Sequence, residues 1–292
     1  MTLRTPDDRF SDLVGYPFDP HFVDWEGMRI HYLDEGTGPS IVLFHGEPTW
    51  SFLYRKVIPP LVEAGIRVIA PDFPGFGRSD KPTDPGFYTY DQMVRAMVDL
   101  CDTLDLQDAT AVVQDWGGPI GLRTAVERPE RFRRLVIMNT ALFTGQGRVT
   151  PAFEAWRSFV EKTPDLPIEV VMRNASGSDW GAEVLAGYAA PFPTMDSKVG
   201  AWRMPLIVPL TADDPGAAEM LAVSDALAGW SNPVLVLFSD QDPIFSTRVG
   251  ERFAAAVPGA GPLETIQGAG HFLQEDEPQA VATAIIDFLD RT

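Results

Sequence analysis

The chain of 292 residues is poor in several residue types, and each shortage narrows its possible functions. Its single cysteine, Cys101, excludes an internal disulfide framework and falls on the apolar face of a predicted helix, where we expect a core residue. No apolar run approaches the roughly 20 residues that a membrane-spanning helix needs, and residues 1–10 are polar, unlike a signal sequence. We therefore expect a cytoplasmic protein without a membrane partner.

Basic residues are also scarce, with 23 lysines and arginines against 41 aspartates and glutamates, and the net charge is −18. The field of such a chain repels phosphate groups, which argues against nucleic acid and anionic membrane surfaces as partners. A small, neutral, apolar molecule is hardly affected by that field. Because 45% of the residues are hydrophobic, the chain can bury one large core.

Short apolar runs that end in turns alternate with helical patterns along most of the chain. Runs of this kind, without polar alternation, are typical of parallel strands buried on both faces of a sheet. Residues 21–33 add an antiparallel hairpin that turns at Glu26-Gly27. The predicted buried strands are 41–44, 68–70, 109–113, 135–138, 234–238 and 263–266, and the longest predicted helices are 91–104 and 276–289.

The pattern changes between about residues 141 and 225, where short amphipathic pieces and eight prolines replace the strands. We interpret this stretch as a helical insertion that lies over the carboxyl edge of the sheet, which is the usual place for a lid. The sequence therefore predicts an α/β core made of residues 1–140 and 226–292, with a helical cap of residues 141–225.

The segment Gln114-Asp115-Trp116-Gly117-Gly118 follows a buried strand and opens a helical pattern. This arrangement is that of a nucleophile elbow, in which the central residue is held on a tight turn between strand and helix. The central residue is Asp115 rather than serine. A carboxylate is already an anion at neutral pH, so it suits displacement at a saturated carbon and leaves an ester between enzyme and substrate. The helix N-terminus at Trp116 should favour that anion.

Such an ester needs a base that activates water, and histidine is the usual base near pH 7. Of the four histidines, His21 and His31 fall in the hairpin, and His45 begins a loop that we expect it to hold by hydrogen bonds. His271 lies in a glycine-rich turn after the last strand. We predict His271 as the base, because it completes the chain order nucleophile, acid, histidine of α/β hydrolases.

The acid that orients this histidine should follow the strand 234–238, where Asp240 and Asp242 are the candidates. We prefer Asp242, since Asp240 is closer to the strand end and suits a turn former. Hydrolysis also places negative charge on an oxygen, which needs backbone N–H donors. The N–H of Trp116 is one predicted donor, and that of Glu47, after His45-Gly46, is the other.

These motifs resemble the α/β-hydrolase superfamily over essentially the whole chain and, within it, the haloalkane dehalogenases. The resemblance is most specific in residues 45–51, 114–118 and 188–193. It implies an α/β-hydrolase fold, with a mostly parallel eight-stranded sheet, helices on both faces and a helical cap. It also implies hydrolysis of a small apolar haloalkane by water to an alcohol, a halide ion and a proton, without a metal or organic cofactor.

The resemblance further implies that two tryptophan indoles hold the departing halide. One follows the nucleophile, which gives Trp116. In the branch of the family with glutamate after His-Gly the other comes from early in the cap, where Trp156 lies; Trp180 and Trp202 are the alternatives. A halide accepts hydrogen bonds better once it is an ion, so these donors favour the transition state over the substrate.

Other functions fit parts of the pattern. An epoxide hydrolase with the same triad needs acids for the opening ring, usually two cap tyrosines, and residues 141–225 contain only Tyr188. A fluoroacetate-type dehalogenase should have an arginine where Trp116 stands. The alternative from another class is a non-catalytic protein of this fold that binds small molecules, although the set Asp115, Asp242 and His271 is intact. Substrate length, halogen preference and the choice between monomer and homodimer are open at this stage.

Overall fold

The computed structural model describes residues 1–147 and 149–292, and in this part of the chain eight strands form one sheet. They are β1 (His21–Trp25), β2 (Met28–Glu35), β3 (Ser40–Phe44), β4 (Arg67–Pro71), β5 (Ala109–Gln114), β6 (Phe132–Met138), β7 (Val234–Ser239) and β8 (Glu264–Ile266). Their order across the sheet is β8-β7-β6-β5-β3-β4-β2-β1.

The six strands from β3 to β8 are parallel, whereas β2 pairs antiparallel with β4 on one side and with the edge strand β1 on the other. The predicted mostly parallel sheet of eight strands is therefore confirmed. A separate pair of very short strands, Thr2–Leu3 and Lys81–Pro82, lies outside it.

Helices cover the sheet, and this explains why its central strands lack polar alternation. Every residue of β5 and β7 is buried, as expected for strands packed on both faces. The helix α1 (Ile58–Glu63) packs against α11 (Pro278–Asp290), and α2 (Tyr90–Thr103) packs against α3 (Gly117–Glu127). Cys101 is buried within α2. None of the described helices is long and apolar enough to cross a bilayer. These core helices are α1 (Ile58–Glu63), α2 (Tyr90–Thr103), α3 (Gly117–Glu127), α9 (Thr247–Ala256), α10 (Leu273–Asp276) and α11 (Pro278–Asp290).

The chain between β6 and β7 forms helices and, among its described residues, no strand. The helix that ends this stretch packs against α3 of the core, and the boundary predicted between residues 225 and 226 falls inside it. The stretch contains α4 (Pro151–Lys162), α5 (Ile168–Ala175), α6 (Gly181–Ala189), α7 (Val199–Arg203) and α8 (Ala217–Leu227).

Candidate active site

Asp115 occupies the turn between β5 and α3 with a left-handed backbone, at a φ of +50°. This conformation costs a non-glycine residue about 1–3 kcal/mol, so it needs support from its surroundings. The N–H of Asp115 donates to the Asn139 carbonyl at 3.0 Å, and its own carbonyl accepts from Thr140 Oγ1 at 2.7 Å and from the Gly118 N–H at 2.9 Å. A Cβ at Gly117 would collide with the backbone of β3. The turn therefore has the strained, tightly packed geometry that the glycine pattern predicts.

The carboxylate of Asp115 is held by backbone N–H groups on one side and faces a histidine on the other. Its Oδ1 accepts the N–H of Glu47 at 2.7 Å, and the N–H of Trp116 lowers the pKa of the same carboxyl. Its Oδ2 lies 3.7 Å from His271 Nε2. The two N–H groups predicted as oxyanion donors thus converge on one side chain, and that side chain lies within reach of the predicted base.

Burial makes the charged form of the Asp115 carboxyl less favourable. Loss of water raises the pKa of this carboxyl above its ordinary 3.8, although His271 and the N–H groups of Trp116 and Glu47 act in the opposite direction. The N–H of Trp116 at the start of α3 lowers this pKa, as expected of a helix N-terminus, but burial raises it by more. The Asp115 anion is consequently poorly solvated, which is a state that strengthens its interactions with nearby groups.

The side chain of Glu47 is also buried beside Asp115, and its Oε1 has no hydrogen-bond partner among the described residues. Burial, with a smaller effect from the Asp115 charge, raises the pKa of the Glu47 carboxyl well above its ordinary value. The neutral form of Glu47 is therefore favoured, and the site avoids a second anion beside the first.

His271 is oriented by Asp242. The His271 Nδ1 lies 2.8 Å from Asp242 Oδ2, while Asp242 Oδ1 accepts the N–H groups of Ile244 at 2.7 Å and Phe245 at 3.1 Å. This bond fixes the tautomer that leaves Nε2 able to accept a proton. Asp240 instead accepts the N–H of Gly268 at 2.8 Å, which is a turn-forming contact.

The pKa of His271 is raised above its ordinary 6.5. Burial by itself lowers this pKa, but the carboxylates of Asp242 and Asp115 together outweigh it. Part of the shift thus depends on the charge of Asp115.

The other histidines lie outside this cluster. His45 donates through Nδ1 to the Gly46 carbonyl at 2.8 Å, and its Nε2 accepts the Phe73 N–H at 3.0 Å, so it holds its loop. His31 lies 2.7 Å from buried Asp72 through Nδ1, and His21 is exposed on the edge strand.

A cavity of about 360 Å³ opens in front of Asp115 and is lined mainly by apolar side chains. Glu47, Trp116, Trp156 and His271 also line it. Asn174, on α5, lines it without having been predicted. The apolar lining includes Pro48, Pro119, Phe143, Phe153, Phe159, Val170, Val171, Pro205, Val208, Ile244, Phe245 and Phe272.

The indole N–H groups of the candidate tryptophans differ in their partners. Trp180 donates to Asp276 Oδ1 at 2.8 Å, and Trp202 donates to the Val160 carbonyl at 3.1 Å. Trp116 and Trp156 donate to none of the described residues, and both line the cavity. Two indole N–H groups are therefore available at the cavity wall, and they belong to the pair preferred from the sequence.

Two polar residues behind the triad were missed by sequence reasoning. Gln114 Nε2 lies 3.2 Å from His271 Nε2, and Asn139 Nδ2 donates to Ser239 Oγ at 2.7 Å and to the carbonyl of His271 at 3.1 Å. Both are buried and stand at the carboxyl ends of strands, Gln114 as the last residue of β5 and Asn139 just after β6. A polar residue at the end of an apolar run was the signal that could have found them.

No tyrosine of the described chain lines the cavity. Tyr188 is fully buried and donates to Glu275 Oε2 at 2.8 Å. The tyrosines that an epoxide hydrolase usually uses as acids are thus missing from the cavity wall in the described residues.

Comparisons with known proteins agree with this geometry. A family model described as alpha/beta hydrolase fold matches residues 39–278. A haloalkane dehalogenase from Mycobacterium marinum is 45% identical over 98% of this chain and 99% of the relative. The chain belongs to the haloalkane dehalogenase family. A haloalkane dehalogenase from Psychrobacter cryohalolentis is 44% identical over 98% of this chain and 97% of that relative.

Solved structures support the same family. The tetrameric structure of the haloalkane dehalogenase DpaA from Paraglaciecola agarilytica matches with a TM-score of 0.92 and 33% identity, over 100% of this chain and 99% of that chain. This dehalogenase therefore has the α/β-hydrolase fold, and it is a hydrolase that acts on carbon–halogen bonds.

Proposed function

We propose that this dehalogenase works through a covalent ester on Asp115, with His271 as the base and Asp242 as its orienting acid. The observation that carries the proposal is that the two carboxylate oxygens of Asp115 have different neighbours. Oδ1 is bound at 2.7 Å by the N–H of Glu47, while Oδ2 lies 3.7 Å from His271 Nε2. Oδ2 is then the attacking atom, and Oδ1 becomes the carbonyl oxygen of the ester.

In the first half of the cycle, Oδ2 attacks the carbon that bears the halogen, and the carbon–halogen bond breaks as the new bond forms. The halide leaves with the bonding electron pair toward the indole N–H groups of Trp116 and Trp156, which donate to none of the described residues. Each hydrogen bond to a charged partner contributes roughly 1.5–3 kcal/mol. Because the halide becomes an ion only as the bond breaks, these donors stabilise the transition state more than the substrate.

In the second half, ester formation itself prepares the base. The ester removes the negative charge of Asp115, which is one of the causes that raise the pKa of His271. The neutral imidazole is therefore favoured at the stage that needs it. His271 takes a proton from water as the water oxygen attacks the ester carbonyl carbon, and the charge on Oδ1 is held by the N–H groups of Glu47 and Trp116.

Collapse of this intermediate expels the alcohol oxygen, which takes the proton from His271. The carboxylic acid left at Asp115 then ionises. The balance is one haloalkane and one water in, and one alcohol, one halide ion and one proton out. All groups in this cycle are side chains or backbone N–H groups of the chain, so we assign no cofactor.

The shape and lining of the cavity support a small apolar haloalkane as substrate, because about 360 Å³ of mostly apolar space favours desolvated carbon chains. We assign the helices α4 to α7 to the cap and Trp156 to the second halide site, which is the arrangement expected of the branch with glutamate after His-Gly. A cytoplasmic location stays a prediction.

Substituting the base separates the two halves of the cycle. We expect His271→Phe to release one halide per active site from a bromoalkane and then to stop, because the ester forms but is not hydrolysed. Intact-protein mass spectrometry should show the mass of the alkyl group on His271→Phe and no adduct on Asp115→Asn. His21→Phe, the same substitution at an exposed histidine, should turn over normally. A His271→Phe enzyme with neither a halide burst nor an adduct would overturn the proposal.

A further inference from the structure

The carboxylate of Asp276, at the end of α10, receives four hydrogen bonds from two separate parts of the chain. Its Oδ1 accepts from Trp180 Nε1 at 2.8 Å and from Ser178 Oγ at 2.7 Å. Its Oδ2 accepts the N–H groups of Gly177 at 2.9 Å and of Gly270 at 3.0 Å. Three of these donors belong to the loop between α5 and α6, and the fourth belongs to the residue before His271.

The loop and the histidine turn also touch through their backbones. A Cβ at Gly177 would lie 2.7 Å from the Gly270 nitrogen, and a Cβ at Gly270 would lie 2.9 Å from the Gly177 nitrogen. Both distances are too short for a side chain, so the two segments need glycine at this contact.

Both backbone groups of Gly270, its carbonyl and its N–H, are hydrogen-bonded to other parts of the chain. Its carbonyl accepts from Ser239 Oγ at 2.7 Å and from Asn139 Nδ2 at 3.2 Å, and both of these donors belong to the core. Its N–H goes to Asp276, which is the carboxylate shared with the loop. The core thus binds the Gly270 carbonyl, and Asp276 connects the Gly270 N–H to the helical insertion.

Aromatic packing makes a second connection along the same path. The Trp180 ring meets Phe272 edge-on at 5.9 Å between centroids, and Phe272 in turn meets the His271 ring at 4.6 Å. Trp180, an alternative halide donor from the sequence, therefore contacts the residue next to His271 while its indole N–H binds Asp276.

We propose that Asp276 is a positioning residue, which ties the loop of residues 177–180 to the turn that carries His271 and so sets the place of the imidazole relative to the ester on Asp115. The inference rests on the proposed function. Alkylation of Asp115 needs no proton transfer to His271, whereas hydrolysis does. Loss of the Asp276 contacts should therefore slow the second half of the cycle and leave the first unchanged.

A single-turnover experiment tests this directly. Excess enzyme is mixed with a bromoalkane and quenched at intervals, and the alkyl-enzyme is followed by intact-protein mass spectrometry. For Asp276→Asn, whose amide nitrogen cannot accept two of the four bonds, we expect unchanged ester formation and ester decay slowed roughly tenfold, since small misplacements of catalytic groups cost up to about a hundredfold. Trp180→Phe, which removes one donor and keeps an aromatic ring, should slow decay less.

Glu277→Gln is the matched control, because it removes one negative charge at the next residue. Glu277 is exposed, and its side chain is hydrogen-bonded to none of the described residues. It should leave both rates unchanged. Thermal melting of each variant separates positioning from stability: a lower melting temperature with an unchanged ratio of the two rates would overturn the inference.

The His271→Phe enzyme distinguishes the possible failures. If it traps the ester while Asp276→Asn and Trp180→Phe hydrolyse the ester at the normal rate, the positioning role is wrong and the proposed cycle stands. If it fails to trap the ester, both are wrong. If Asp276→Asn does not fold, Trp180→Phe still tests the inference. This variant should fold, because it leaves the Asp276 carboxylate and its contact with Gly270 in place.

Discussion

The groups that would break and make bonds are held very differently from those that would surround the substrate. Asp115, Asp242 and His271 lie in the turns that follow β5, β7 and β8, and each is fixed by at least one hydrogen bond from a neighbouring segment. In the helical insertion, Phe159 and Val170 line the same cavity but are 41% and 51% exposed.

This difference indicates which parts of the fold tolerate changes in sequence. A group that transfers a proton or attacks a carbon loses activity with small displacements, so it needs a rigid support. An apolar wall needs only to exclude water and fit the substrate, which packing provides without fixed bonds. We therefore expect substitutions in the core site to act on rates, and substitutions of cap residues that line the cavity to act on binding.

Asp242→Asn should have the largest effect, and it tests the core side of this comparison. The amide keeps the shape of the side chain but removes the carboxylate that orients His271, so we expect the turnover rate to fall on the order of 10³–10⁴-fold. Steady-state halide release measures the effect. Asp240→Asn is the control, and a larger loss in that variant would mean that the acid had been assigned to the wrong aspartate.

The pH dependence should be the next largest effect and tests the coupling within the core site. Because the ester removes the Asp115 charge and the base must be neutral, hydrolysis should fall about tenfold per pH unit below the pKa that His271 has in the alkyl-enzyme, which is lower than its pKa in the free enzyme. Ester should therefore accumulate at acid pH. Asp115→Asn, which imitates the uncharged ester, should lower the His271 pKa measured by NMR. An unchanged pKa in this variant would contradict the proposed effect of ester formation on His271.

Trp156→Phe tests the cap side of the comparison and should have the smallest effect. It removes one indole N–H that binds none of the described residues, and we expect chloride to inhibit roughly tenfold more weakly. The inhibition constant for chloride during bromoalkane turnover gives the measurement. Trp202→Phe, whose indole N–H is bound to Val160, is the control. Normal chloride inhibition in Trp156→Phe would place the second halide donor elsewhere.

Much of the candidate site could be predicted because it depends on local pattern. The run 109–113, the glycines after Asp115 and the turn around His271 each carry their own signal, and all parallel strands end at the same edge of the sheet. The chain order then indicated which histidine and which aspartate would meet. The hairpin at Glu26-Gly27 followed in the same way from its turn residues.

The residues that were missed act across long distances in the chain. Asn139 joins the turn of Asp115 to that of His271, and Asp276 joins residues 177–180 to Gly270. Nothing in the neighbouring sequence of either residue indicates these partners. The contact between α8 and α3 is of the same kind, because the sequence of α8 resembles that of other short amphipathic helices and does not indicate that it packs on α3.

The sequence by itself determined the alternation of strands and helices, the aspartate at the elbow and the chain order of the candidate triad, because each follows from local periodicity, turn chemistry or charge. The tertiary structure alone decided which indole N–H groups lack a partner among the described residues. Trp156 and Trp202 both belong to the helical insertion, yet only Trp202 donates to another described residue. A hydrogen bond forms where packing brings donor and acceptor within about 3 Å, and that distance depends on segments far apart in the chain.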